Sequence, residues 1–322
     1  MKAILYTEYG PPDVLQLAEV EKPAPKENQV LVKVHAASAN ALEWRPFTMS
    51  PIIIRLMGGL RKPKDPQVGV DVAGTVEAVG ASVTEFKPGD EVFGVAPAAF
   101  AEYACNGENK FALKPANVSF EAAAAVPVAA LTALQGLRDK GQIQPGQKVL
   151  IDGASGGVGT FAVQIAKSYG AEVTAVCSAR NLDMARSIGA DYVIDYVRED
   201  FTKNGLRYDL ILAVNGSHPI LDYRRALSPR GICVVAGGPL AQIFLALLLG
   251  PVISRLGSKK YFFMGMAKSR KEDLLVLKEL LEAGKVVPVI DKCYPLSKTA
   301  EAIRYLIEEH ARGKVVIEIL NG

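Results

Sequence analysis

Apolar and polar positions alternate at period two through the first third of the chain. The stretches "QVLVKVHAAS" (29–38) and "VAGTVEAVG" (72–80) place an apolar side chain at about every second position, and "FKPGDEVFGV" (86–95) sets a Pro-Gly-Asp turn before another such run. That period puts alternate side chains on one face of a pleated ribbon, so this region reads as turn-rich β structure. Between the first two runs, 45–64 ("RPFTMSPIIIRLMGGLRKPK") is a long irregular connection carrying apolar side chains. Loops of that length are usually functional.

The period changes near residue 119. "SFEAAAAVPVAALTALQGLRDKG" (119–141) reads as helix, and strands at 148–152, 172–177, 192–194, 209–214 and 231–236 then alternate with helices at 158–169, 181–188 and 219–227. Regular succession of strand and helix implies right-handed βαβ crossovers and a parallel sheet covered on both faces. Two amphipathic helices follow in "DLLVLKELLEAGK" (273–285) and "TAEAIRYLIEEHARG" (299–313). The closing "KVVIEIL" (314–320) is a strand with no sheet of its own nearby. It is expected to return to the β-rich first region. The pattern thus predicts an α/β protein with a β-rich domain of 1–120 and 266–322 and a doubly wound parallel-sheet domain of 121–265.

Composition narrows the partners. With 37 basic and 34 acidic residues among 322, the net charge is +3, and there is no long basic run or aromatic-basic alternation. Nucleic acid is therefore excluded as an expected partner. Cys105, Cys177, Cys233 and Cys293 lie far apart in or beside apolar stretches without a C-x-x-C pair, which predicts buried free thiols. His35, His218 and His310 are equally scattered, so spacing predicts no compact zinc site. The start, with a short apolar run before Glu8, carries no secretory pattern. The expected setting is reducing and cytoplasmic. From 231 to 254 the chain is uncharged, but Gly-Gly-Pro and Gly-Pro breaks divide it into a strand and a short apolar helix. That helix suits a core or a homodimer interface, with peripheral membrane contact through 240–249 as the other reading.

The glycine-rich "IDGASGGVGT" (151–160) sits between a buried strand and an amphipathic helix, the context a dinucleotide loop needs. In the Gly-x-Gly-x-x-Gly frame, Ala154 takes the first slot, Gly156 lets the backbone approach a pyrophosphate, and Gly159 permits close helix–strand packing. Ser155, Gly157 and Val158 complete the loop, and the helix N-terminus offers N–H groups to phosphate. The next strand ends in Ser178-Ala179-Arg180-Asn181, without the carboxylate that would accept from a ribose 2′-hydroxyl. Arg180 and Ser178 suit a 2′-phosphate. The expected cofactor is NADPH, with NADH as the alternative.

"VGVDVAGTVEAVG", "VPVAALTALQGL", "GASGGVGTFAVQIAK", "SIGADYVIDY" and "HARGKVVIEI" together resemble the zinc-independent quinone oxidoreductases of the medium-chain dehydrogenase/reductase superfamily. "CSARN" and "VAALTALQ" are most similar to the branch of chloroplast-envelope homologues and their bacterial relatives. The resemblance implies a GroES-like catalytic domain and a Rossmann domain. It places Asn40 where zinc enzymes of the superfamily carry a cysteine, and Val70-Asp71 where they carry His-Glu, so no Lewis acid is expected. It further implies Asn40 beside nicotinamide and substrate, Thr132 facing the carboxamide, Tyr196 against the 2′-phosphate, and Gly237, Phe263 and Met264 near the nicotinamide. Lys314 in "ARGKVVI" reads as an ordinary solvated lysine, with reach into the cofactor cleft as the other reading. The expected activity is metal-free hydride transfer from NADPH to small lipophilic quinones or α,β-unsaturated carbonyls. Two alternatives stay open: an enoyl-thioester reductase using Arg55, Arg61, Lys62 and Lys64, and a non-catalytic, membrane-associated NADPH-binding protein.

Overall fold

The structure, a computed structural model, describes residues 1–320 apart from 42, 44–62, 65, 217, 239–246, 249, 251–253, 256, 257 and 310. Most of the long apolar connection, with Arg55, Arg61 and Lys62, and most of the 240–249 segment lie outside the described residues. In chain order the strands are β1 (Lys2–Tyr6), β2 (Leu15–Glu19), β3 (Gln29–Ala39), β4 (Asp71–Val79), β5 (Glu91–Val95), β6 (Tyr103–Gly107), β7 (Phe111–Leu113), β8 (Lys148–Asp152), β9 (Glu172–Cys177), β10 (Tyr192–Asp195), β11 (Tyr208–Ala213), β12 (Leu227–Val235), β13 (Lys260–Phe263), β14 (Ile290–Pro295) and β15 (Lys314–Glu318). The helices are α1 (Phe120–Ala124), α2 (Pro127–Gln135), α3 (Gly157–Ser168), α4 (Leu182–Ser187), α5 (Ile220–Ala226), α6 (Lys271–Glu282) and α7 (Thr299–Glu308). No helix among the described residues is long and apolar enough to cross a membrane.

These elements form two compact units, one of Met1–Val128, Ser269–Ala283 and Pro288–Gly322, the other of Ala129–Lys268 and Gly284–Val287. The first is built on a sheet of order β14-β15-β3-β4-β5-β7, with β6 also paired to β3. Its core gathers Val30, Val32 and Val34 of β3 with Val72, Val92, Phe111, Val315 and Ile317. The chain end does return: β15 runs antiparallel to β3, Val315 opposite Ala39 and Glu318 opposite Ala36. Its other neighbour, β14, is parallel to it. This strand escapes a hydropathy reading because "IDKCYP" alternates poorly at a sheet edge, and it leaves Cys293 exposed. The expectation of buried thiols therefore holds for Cys177 and Cys233 but not for Cys293, nor fully for half-buried Cys105.

The units divide about eight residues later than the pattern suggests. Phe120 of α1 stacks on His35 of β3 with ring centroids 4.0 Å apart, which holds α1 in the first unit. The single helix expected over 119–141 is broken before Pro127, whose missing N–H suits the first position of a new helix. Residues 284–287 join the second unit because Gln164 clasps Val287, accepting from its N–H at 2.8 Å and donating to its carbonyl at 3.0 Å.

The second unit holds an all-parallel sheet of order β10-β9-β8-β11-β12-β13. Val149, Leu150 and Ile151 of β8 are fully buried, as a strand covered on both faces requires. The strand order reverses between β8 and β11. In open α/β sheets the carboxyl ends flanking such a reversal form the ligand crevice.

Candidate functional site

Three groups of predicted residues meet at the carboxyl edge of the parallel sheet. The first is the glycine loop after β8. Gly153 takes a left-handed φ of 89°, so the sharp turn is made one residue before the slot that Ala154 fills. Ala154 is fully buried and ties the loop to β9 by donating its N–H to the Val176 carbonyl at 3.0 Å. A Cβ on Gly159 would lie 2.1 Å from the Gly153 carbonyl oxygen, which only glycine avoids. A Cβ on Gly156 would meet nothing nearer than 3.9 Å. It would instead fill the open space before the N-terminus of α3, where the first-turn N–H groups of Gly157, Val158 and Gly159 have no acceptor within the helix. This cradle fits a dinucleotide pyrophosphate.

The second group lies where β9 and β10 end. Tyr196 N–H donates to the Cys177 carbonyl at 3.3 Å, which brings Tyr196 beside Ser178. Tyr196 and Arg180 are exposed. Asn181, buried and absent from the sequence-based set, donates through Nδ2 to Ser178 Oγ at 3.2 Å. Asp183, the nearest following carboxylate, turns to Arg186 at 2.8 Å. The edge thus offers a hydroxyl, a guanidinium and a phenol, a set that fits a phosphate, while the Asp195 carboxylate at the end of β10 accepts from Val197 N–H and pairs with Arg198.

The third group follows β12 and β13. Met264 N–H donates to the Val235 carbonyl at 2.9 Å, and a Cβ on Gly237 would come within 2.4 Å of the Val214 carbonyl oxygen. These contacts align Gly237, Phe263 and Met264 at the sheet edge that carries the glycine loop. Thr132 is buried within α2.

Beneath the loop is a pair that sequence reasoning missed. The Tyr223 hydroxyl donates to Asp152 Oδ2 at 2.5 Å, and the Asp152 carbonyl accepts from Val214 and Asn215 N–H groups at 2.9 and 3.3 Å. Burial pushes the Asp152 carboxyl above its usual range, while the Tyr223 hydrogen bond opposes this. The pair fixes the end of β8 from which the loop springs.

The first unit contains a different kind of site. Asn40, at the end of β3, opens a helical turn in which its N–H donates to Glu43 Oε2 at 2.6 Å and its carbonyl accepts from Glu43 N–H at 3.2 Å. The Glu43 side chain reaching back to the Asn40 N–H is one half of a capping box, and the Asn-x-x-Glu spacing is the signal that could have disclosed Glu43; the other half is missing because Asn40 Oδ1 accepts from Lys314 instead. Asn40 Nδ2 faces Asp71 Oδ2 at 2.9 Å, Glu43 Oε1 at 3.1 Å and the Ser38 carbonyl at 3.3 Å. Asp71, fully buried, also accepts from Ser38 Oγ at 2.7 Å and, through Oδ1, from Val128 N–H at the start of α2 at 2.8 Å. Lys314, expected to be solvated, is instead 2 % exposed. Its ammonium donates to Asn40 Oδ1 at 2.5 Å and to the Ala39 carbonyl at 3.2 Å, and pairs with Asp71 Oδ2 at 3.3 Å. Burial and the neighbouring Asp71 push the Glu43 carboxyl up to about 8, against the opposing pull of Asn40 and Lys314.

A GroES-like β domain with a dinucleotide-type parallel sheet defines a medium-chain dehydrogenase/reductase. Residues 26–162 match the model of the alcohol dehydrogenase GroES-like domain, and 188–317 that of the zinc-binding dehydrogenase. Over 99% of its length the chain is 34% identical to 98% of the chloroplast envelope quinone oxidoreductase homolog of Arabidopsis thaliana. It is 35% identical, over 98% of the chain and 79% of the relative, to an NADPH-dependent alkenal/one oxidoreductase of the same plant. The solved quinone oxidoreductase from Coxiella burnetii superposes with a TM-score of 0.87 at 32% identity, covering 99% of each chain. The chain belongs to the quinone oxidoreductase family of this superfamily.

The name of the second model raises the question of zinc, and the residues do not fit it. Among the described residues no three His, Cys, Asp or Glu groups are placed to hold a metal. Around Asn40 and Asp71 the acceptors are oxygens already engaged by an ammonium, whereas zinc prefers thiolate and imidazole.

Proposed function

We propose that this protein is an NADPH-dependent, metal-free reductase that delivers hydride to quinones or α,β-unsaturated carbonyls. The observation that carries the reading is the carboxyl edge of the sheet. There an open glycine cradle stands one strand away from Ser178, Arg180 and Tyr196, and Asp183, the nearest carboxylate after them, pairs with Arg186. The names of the two plant relatives support the same substrate class.

In this reading Gly156, Gly157, Val158 and Gly159 receive the pyrophosphate, with Ala154 and Ser155 shaping the loop. Ser178, Arg180 and Tyr196 hold the 2′-phosphate through charge-assisted hydrogen bonds. Thr132, Gly237, Phe263 and Met264 shape the nicotinamide end. When bound, the nicotinamide supplies the hydride at C4. The protein aligns donor and acceptor and stabilises the enolate that develops. Asn40 meets the substrate carbonyl, and the donation replaces the longest of its Nδ2 contacts, that to the Ser38 carbonyl at 3.3 Å.

The test is NADPH and NADH oxidation against a panel of quinones, short enones and enoyl thioesters, with fluorescence titration of both cofactors. Arg180→Ala is expected to reduce the NADPH preference by about tenfold or more; an unchanged preference breaks the phosphate assignment. Turnover confined to enoyl thioesters would favour the alternative substrate class. The free cysteines suit a cytoplasmic setting. Exposed Leu247 and Leu248 suit a homodimer or a lipid contact, which sedimentation with and without liposomes separates.

A further inference from the structure

The buried cluster in the first unit brings two carboxyl groups, Asp71 and Glu43, around one amide and one ammonium. An asparagine amide is nearly symmetric in shape, so a half-turn about its last bond exchanges oxygen and nitrogen at little steric cost. Its neighbours decide the polarity. An ammonium has three donors and no acceptor, so it accepts only the amide oxygen as partner; a carboxylate accepts only the nitrogen. Lys314 uses all three donors on the Ala39 carbonyl, Asn40 Oδ1 and Asp71 Oδ2. The amide is thereby held from both ends, by a cation on the oxygen and by carboxyl groups on the nitrogen.

We propose that Lys314 is a positioning residue, the resident cation of this cluster, which keeps Asp71 compensated and fixes the polarity of the Asn40 amide. Remove the ammonium, and among the described residues the site holds two carboxyl groups with no cation between them. A proton on either one turns it into a donor to Asn40 Oδ1 as readily as an acceptor from Nδ2, so the amide is free to reverse. The role of this polarity in turnover rests on the reading of Asn40 as the group that meets the substrate carbonyl. A reversed amide would present oxygen to oxygen.

The strand register explains why the cation is available. Lys314 precedes Val315, which lies opposite Ala39 on β3, while Asp71 lies opposite Ser38 on the other side of that strand. A side chain 243 positions away in sequence thus closes the ion pair.

The experiment compares wild type with Lys314→Met, which keeps the stem without the charge, and with Lys314→Ala, which opens the space. In Lys314→Met the expected result is a tenfold or larger loss of kcat with the NADPH Kd unchanged by fluorescence titration. Wild-type kcat in a folded Lys314→Met protein overturns the proposal. In Lys314→Ala, ethylammonium is expected to raise both melting temperature and kcat, while ethanol at the same concentration is not. Equal rescue by ethanol reduces Lys314 to a space-filler and overturns it. Zinc titration of the wild-type protein adds a check that needs no variant to fold; one equivalent bound, and lost in Asp71→Asn, would show that the cation place belongs to a metal. Failure of wild type to bind NADPH breaks the functional reading instead, and the melting-temperature rescue still reports on the cation.

Discussion

The glycine loop after β8 and the polar cluster around Asn40 are both tightly determined, but by opposite means. The loop is made from consecutive residues, and its geometry follows from where a methyl group has no room. Gly153 supplies the left-handed turn and Gly159 the close approach, so Ala154 in the first slot carries no strain. The cluster is made from Ser38, Asn40, Glu43, Asp71 and Lys314, drawn from β3, β4 and β15 and from the turn after β3. What holds it is charge and hydrogen-bond direction among side chains that are mostly buried. Steric sites fail through volume and electrostatic sites fail through protonation, so the two respond to different perturbations.

The largest effect is expected where volume decides. Gly159→Ala should cost about 3 kcal/mol or more, read as a melting temperature lower by roughly 5–10 °C. Gly156→Ala should leave the melting temperature near that of wild type and weaken NADPH binding about tenfold or more, because its methyl enters the cradle rather than the core. Equal destabilisation by the two substitutions would break the distinction between packing glycine and cradle glycine.

An intermediate effect is expected at the base of the loop. Tyr223→Phe leaves Asp152 Oδ2 without its phenolic donor, which should cost about 1–3 kcal/mol by thermal or denaturant unfolding. A neutral outcome would mean that the buried carboxyl is satisfied without Tyr223.

The most specific effect is a pH dependence centred on the cluster. Glu43 holds its proton in the folded protein up to about pH 8, whereas its ordinary carboxyl value is 4.5. Between these values the folded state binds a proton that the unfolded state has released, so this group's contribution to stability falls as pH rises through that window. Burial and Asp71 set the sign, while Asn40 and Lys314, which face the same carboxyl, oppose it. The melting temperature of Glu43→Gln should vary less over this range than that of wild type; parallel curves would contradict the assignment.

Legibility follows the same division. The βαβ succession, the glycine frame and the Ser178–Arg180 end of β9 were readable because each depends on neighbours within a few residues. Asn181 and Tyr223 were not, since their partners, Ser178 Oγ and Asp152 Oδ2, are met only after the backbone has turned or the sheet has assembled. Lys314 departs furthest from its expectation, since the structure buries a side chain expected in solvent. In "ARGKVVI" nothing local distinguishes it from any lysine at the start of a strand.

Periodicity and spacing by themselves determined the two-domain plan, the glycine loop after β8, the polar, carboxylate-free Ser178–Asn181 stretch after β9 and the return of the last strand, because propensity, turn chemistry and side-chain alternation act over short separations. Only the tertiary structure decided that Lys314 is buried against Asp71, that the Glu43 carboxyl is pushed above its ordinary range, and that the Asn40 amide points one way. Those properties depend on which strands become neighbours and on the dielectric their packing creates, and no local pattern encodes either.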